Sequence, residues 1–164
     1  MDLTTSSLVS PAEDIPVAGK RVLIVEDEAI VALHLKSELT KLGYVVAGIA
    51  ATGEEALKLV NEAFPDAILM DIHIPGEMDG IETARQIPRY MHVPLIYLTA
   101  YSEDVTLNRA ADTNPYGYLI KPFVERELHA TIKMAMMRSQ ADEAAKENEG
   151  RLFRSLCWTP ISGC

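Results

Sequence analysis

Five short apolar runs alternate with stretches patterned for helices between residues 21 and 138, and that alternation leaves few folds open. The runs occupy 21–25, 44–49, 67–70, 93–98 and 116–120. They are too short for helices, rich in Val, Ile and Leu, and unbroken by polar residues, which is the pattern of strands covered on both faces. Parallel strands need helical crossovers of one hand. The expected fold is therefore α/β: a doubly wound, five-stranded parallel sheet in the order 2-1-3-4-5, a flavodoxin-like sandwich of three layers, α/β/α.

The intervening stretches support this. Val31, Leu35, Leu39 and Leu42 recur at helical spacing, with Gly43 where a C-terminal cap belongs. Ala56, Leu57 and Val60 share one face of a second helix over 53–63, and Pro65 separates it from the next strand. Asp79-Gly80 opens a third helix, with Ile81, Ala84 and Ile87 inward and an end near Pro88. Ser102 suits the N-cap of a fourth, with Glu103 and Asp104 in its first turn, where acids favour the positive end of the helix dipole. The fifth begins near Glu125, buries Leu128, Ile132, Ala135 and Met136, and should finish packing by about Arg138.

This divides the 164 residues into a flexible leader over 1–19, one domain over 20–138, and a helical extension with a short unstructured tail over 139–164. Residues 141–151 are rich in Ala, Glu and Lys. Ala141, Ala145, Asn148 and Leu152 form a weak heptad seam, which admits a homodimer, a solvated single helix or a frayed tail. A net charge of -9 with no basic run argues against nucleic-acid binding, which rests on clustered Lys and Arg. The first twenty residues lack a signal peptide or membrane anchor, so a cytoplasmic location is the default. Cys157 and Cys164 fit no metal motif and read as free thiols, with a tail disulfide as the alternative.

Chemistry is expected where the strands end. The third run, Ala67-Ile68-Leu69-Met70, stops on Asp71; Glu26 and Asp27 follow the first run, Thr99 the fourth and Lys121 the fifth. An Asp at a strand end can simply serve a turn. Here four strands deliver polar residues to one rim, where ligands of open α/β sheets gather. Three carboxylates in one crevice repel unless a cation joins them, and Mg²⁺ suits a few carboxylate oxygens while keeping open positions. Asp71 could then attack phosphorus as a carboxylate nucleophile, with Lys121 and the metal stabilising the phosphoryl oxygens and Thr99 donating a hydrogen bond.

The motifs Val25-Glu26-Asp27-Glu28, Met70-Asp71-Ile72, Met78-Asp79-Gly80, Leu98-Thr99-Ala100 and Gly117-Tyr118-Leu119-Ile120-Lys121-Pro122-Phe123 stand in that order. Over about 21–138 the chain closely resembles the receiver domain of two-component response regulators, the CheY-like family. The resemblance implies phosphorylation of Asp71 by a sensor histidine kinase or phosphotransfer protein. It implies Mg²⁺ held by Asp71, by Asp27 directly, by Glu26 through water and by the His73 backbone carbonyl. Thr99, Ala100 and Lys121 would bind the phosphoryl group, Thr99 and Tyr118 would form the switch pair, and Lys121-Pro122 would be cis. The side chains of His73 and Tyr101 would tune loss of the phosphoryl group. The loop from Ile72 to Gly80 is about one residue longer than the commonest family form, and Gly76 makes that easy.

Output is expected through a downstream protein on the face made by the fourth helix, fifth strand and fifth helix, with no DNA-binding output domain. Residues 147–156 resemble the lead-in to a PAS domain, and the last eight residues do not continue it, the pattern of a truncated downstream domain or a shifted reading frame. The resemblance implies a signalling protein and not a true enzyme. Two rival readings fit less well. A haloacid dehalogenase-type phosphatase needs a second acid two residues after the nucleophile, where this chain has His73. A flavodoxin-like cofactor binder needs a phosphate loop after the first strand, where Glu26-Asp27-Glu28 would repel phosphate.

Overall fold

A strand whose successive side chains are all apolar has to be covered on both faces. In the computed structural model, which describes residues 16–88, 91–100 and 104–158 (side chains of 104, 105, 107 and 146–158 excepted), that covering is what the helices provide. The order is β1 (Arg21–Val25), α1 (Ala29–Lys41), β2 (Val45–Ala50), α2 (Gly53–Ala63), β3 (Ala67–Asp71), α3 (Gly80–Gln86), β4 (Leu95–Ala100), α4 (Asp104–Ala111), β5 (Gly117–Lys121) and α5 (Glu125–Trp158).

All pairings are parallel, and the sheet order is β2-β1-β3-β4-β5, as the alternation predicts. Val22 and Ile24 of β1, Ala67 and Leu69 of β3 and Ile96 and Leu98 of β4 share one core cluster with Leu35 and Leu39 of α1 and Leu128 and Ile132 of α5. Their neighbours Leu23, Val25, Ile68, Met70, Leu95 and Tyr97 point the other way, onto Ala56 and Val60 of α2, Ile81 of α3 and Ala110 of α4. The order reverses between β1 and β3, so a crevice opens at their carboxyl ends.

Several boundaries differ from expectation. β2 begins one residue late because Tyr44 is buried in the α1 and α5 cluster, with its hydroxyl 3.3 Å from His129 Nδ1. β2 slips register against β1, Val22 facing Val46 and Leu23 facing Gly48, so Ala47 stays unpaired. β4 begins at Leu95, two residues later than the apolar run. The proposed cap Ser102 lies outside the described residues.

α5 stays on the domain beyond the expected limit at Arg138. Ser139 is buried, and the Tyr116 hydroxyl donates to Asp142 Oδ2 at 2.5 Å. Arg138 lies over the Tyr116 ring, 5.3 Å from its centroid, and donates to the Tyr116 carbonyl at 3.3 Å. Positions four apart share a helix face, so Arg138 and Asp142 grip one tyrosine together. Residues 141–145 are exposed, whereas the side chains of Asn148 and Leu152 and the leader up to residue 15 lie outside the described residues. Among the described residues no helix is long and apolar enough to cross a membrane.

Candidate functional site

Register brings the site together. Val25 pairs with Met70, Asp71 with Leu98 and Ala100 with Lys121, so the ends of β1, β3, β4 and β5 stand level. Glu26, Asp27 and Asp71 each offer a carboxylate oxygen, all within 4.8 Å of one another. Glu26 and Asp71 are buried and Asp27 is exposed. The Lys121 ammonium donates to Glu26 Oε2 at 2.7 Å and to Asp71 Oδ2 at 2.8 Å.

The electrostatics follow from that crowding. Burial pushes the Glu26 carboxyl up to about 7, with the Asp71 charge adding to the shift. Hydrogen bonds from Lys121 and from the Glu28 N–H (3.1 Å to Oε1) oppose it without cancelling it. Burial works against the Lys121 ammonium, but its bonds to Asp71 and Glu26 and their charges outweigh that and raise its pKa. Three acids against one lysine leave negative charge to be met. The donors are all carboxylate oxygens, which suits a hard divalent cation such as Mg²⁺.

The loop after β3 is shaped around Asp71. The His73 N–H donates to Asp71 Oδ1 at 2.9 Å, while the His73 side chain is exposed. Buried Ile72 and Ile74 anchor the loop from below, and Gly76 turns it at φ +109°. Gly80 donates to the Ile72 carbonyl at 2.8 Å and approaches so closely that a Cβ there would lie 2.1 Å from the Asp71 carbonyl oxygen. Asp79 then caps α3, accepting from the Glu82 N–H at 2.8 Å through Oδ1 and from Arg109 of α4 at 3.1 Å through Oδ2.

Thr99 is buried, and its hydroxyl donates to the Ala100 carbonyl at 3.2 Å. Tyr118 is 38% exposed, and its ring lies nearly parallel to that of Tyr97, centroids 6.0 Å apart. The Lys121-Pro122 peptide is cis. Tyr101 lies outside the described residues. No motif in the sequence marks Tyr97, Arg109 or the close approach at Gly80. Tyr97 had one signal, a hydroxyl in an otherwise aliphatic strand core that needs a buried partner.

The family model described as response regulator receiver domain matches residues 22–133. The transcriptional regulatory protein PdtaR of Mycobacterium tuberculosis is 36% identical over 132 residues, which cover 80% of this chain and 64% of that protein. The chain spans 46% to 64% of the length of five such curated relatives. Among solved structures, the signal receiver domain of a modulated diguanylate cyclase from Desulfovibrio desulfuricans G20 matches with a TM-score of 0.71 and 38% identity, covering 76% of this chain and 98% of that one. The receiver domain of sensor histidine kinase PA1611 from Pseudomonas aeruginosa PAO1, solved with a magnesium ion coordinated in its active site cleft, matches with a TM-score of 0.66 and 31% identity, covering 73% of this chain and 98% of that one.

Proposed function

The chain belongs to the response regulator receiver family, and we propose that it accepts a phosphoryl group on Asp71 from a sensor histidine kinase or phosphotransfer protein in two-component phosphorelay signalling. The observation that carries this is the meeting of Glu26, Asp27, Asp71 and Lys121 at the switch point of the sheet. Asp71 is held at both oxygens, Oδ1 by the His73 amide and Oδ2 by Lys121. Attack on phosphorus uses the oxygen that Lys121 releases: an O–P bond forms as the donor's N–P bond breaks, and the ammonium follows the phosphoryl oxygens.

Asp27, Asp71 and the His73 carbonyl would hold Mg²⁺ directly, with Glu26 acting through water, and the magnesium in the related PA1611 receiver supports that choice. When bound, Mg²⁺ supplies the positive charge that lets carboxylate and phosphoryl oxygens approach. Thr99, with the backbone at Ala100, and Lys121 bind the transferred group. Turnover is confined to self-phosphorylation and self-dephosphorylation, tuned by the His73 and Tyr101 side chains. Ile30, Leu33 and Val124 are exposed within a few residues of Asp27 and Lys121, which favours a protein donor.

The switch pair is Thr99 and Tyr118. Thr99 turns to the phosphoryl oxygen, and Tyr118 moves into the space released, reshaping the face of α4, β5 and α5, where Ile120 is also exposed. Output is by contact with a downstream protein in the cytoplasm, and the net charge of -9 speaks against nucleic acid as the partner of this chain. Incubation with Mg²⁺ and acetyl phosphate, followed by intact-mass measurement, should add one phosphoryl group to the wild type and none to Asp71→Asn. An equal adduct in the variant rejects the assignment.

A further inference from the structure

Tyr97 is the largest fully buried side chain among the described residues, and it touches two parts of the output face at once. Its ring stacks against Tyr118, its cross-strand neighbour on β5, at 6.0 Å and an interplanar angle of 28°. Its hydroxyl lies 2.7 Å from Thr113 Oγ1, just past the end of α4. The direction of that bond is fixed by what lies beyond it. Thr113 Oγ1 is 2.6 Å from the Ala110 carbonyl, which can only accept, so the single threonine proton goes there. Tyr97 is then the donor, and the chain runs from Tyr97 O–H to Thr113 Oγ1 to the Ala110 carbonyl. The Thr113 N–H also donates to that carbonyl, at 3.0 Å.

We propose that Tyr97 is a positioning residue for output: it carries movement of Tyr118 to the C-terminal turn of α4 through the Thr113 hydroxyl. The inference rests on the receiver reading above and adds a route that Thr99 and Tyr118 alone do not provide. The two rings differ in freedom. Tyr118 is 38% exposed and can turn, whereas Tyr97 is fully enclosed and has no room for an independent rotamer. When Tyr118 leaves, one side of the Tyr97 ring loses its packing partner, and an enclosed ring responds by shifting as a unit. The hydroxyl at its far end moves with it and alters the hydrogen bonds that close α4.

Hydrogen exchange of residues 109–114, measured by mass spectrometry with and without Mg²⁺ and acetyl phosphate, tests this, with intact mass reporting phosphorylation in the same samples. In the wild type, exchange in this segment should change at least threefold on phosphorylation. In Tyr97→Phe and in Thr113→Val, which remove the same bond from opposite ends, the adduct on Asp71 should form normally while the change falls below half. A merely structural role would raise exchange equally in both states and leave the phosphorylation-dependent difference intact. A full difference in both variants, with normal adduct, overturns the relay and spares the receiver reading. No adduct on the wild type overturns the receiver reading and the relay with it.

Discussion

Lys121 holds its ammonium 2.8 Å from Asp71 Oδ2 across a separation of 50 residues, and the same nitrogen lies 2.7 Å from Glu26 Oε2. One cation therefore neutralises part of an acid cluster whose ligand atoms lie within 4.8 Å of one another.

Removing that cation should destabilise the metal-free protein. A broken buried pair costs about 3–5 kcal/mol, and because the Lys121 side chain is 24% exposed we expect about 1–3 kcal/mol for Lys121→Met. Urea unfolding in EDTA measures this, and millimolar Mg²⁺ should narrow the deficit. A variant as stable as wild type in EDTA would show that solvent already screens the acids.

The raised Glu26 pKa gives a pH dependence of definite sign. Between the ordinary value of 4.5 and about 7 the folded protein keeps a proton on Glu26 that the unfolded chain has released. The resulting stability is complete below 4.5 and lost as pH rises through about 7. Cation binding runs the opposite way: apparent Mg²⁺ affinity should strengthen with pH by up to about tenfold per unit below 7 and level off above. Calorimetry in buffers of different ionisation enthalpy should detect the released proton, and Glu26→Gln should abolish both the release and the pH dependence.

Gly80→Ala should be costly although alanine favours helices. The added Cβ would meet the Asp71 carbonyl oxygen at 2.1 Å and Ile72 Cα at 2.9 Å, both backbone atoms that cannot step aside alone. Overpacking of this kind costs about 1–3 kcal/mol, and relief requires moving the loop that carries Asp71. Thermal unfolding and the acetyl phosphate reaction should both suffer; a variant with wild-type values for both would show the loop to be pliant.

Asp79 and Arg109 should differ although they form one ion pair. Asp79→Ala removes the cap on the Glu82 N–H and should cost about 0.5–2 kcal/mol. Arg109→Ala removes only partly exposed contacts, to Asp79 at 3.1 Å and to Glu82 at 3.6 Å, and should stay within about 1 kcal/mol. Equal losses in guanidinium unfolding would place the energy in the ion pair and not in the cap.

The alternation of apolar runs with amphipathic stretches determined the fold, because runs that need cover on both faces and helices with one apolar stripe have few joint solutions. Strand order and the rim of polar residues followed, and Glu26, Asp27, Asp71, Thr99 and Lys121 were legible because each ends or follows a run. What pattern reading could not supply depends on distance between remote atoms. That α5, expected to continue past Arg138, still packs on the domain there is decided by Tyr116, which sits 26 residues before Asp142 and declares no partner in the sequence. The glycine at position 80 reads as a helix start, and only the packed loop shows that it makes room for the Asp71 backbone. Tyr97 reads as core, and its hydrogen bond to Thr113 exists because β4 and the end of α4 meet in three dimensions. Local periodicity fixes which face a residue serves; which partner it finds there is set by how the layers close.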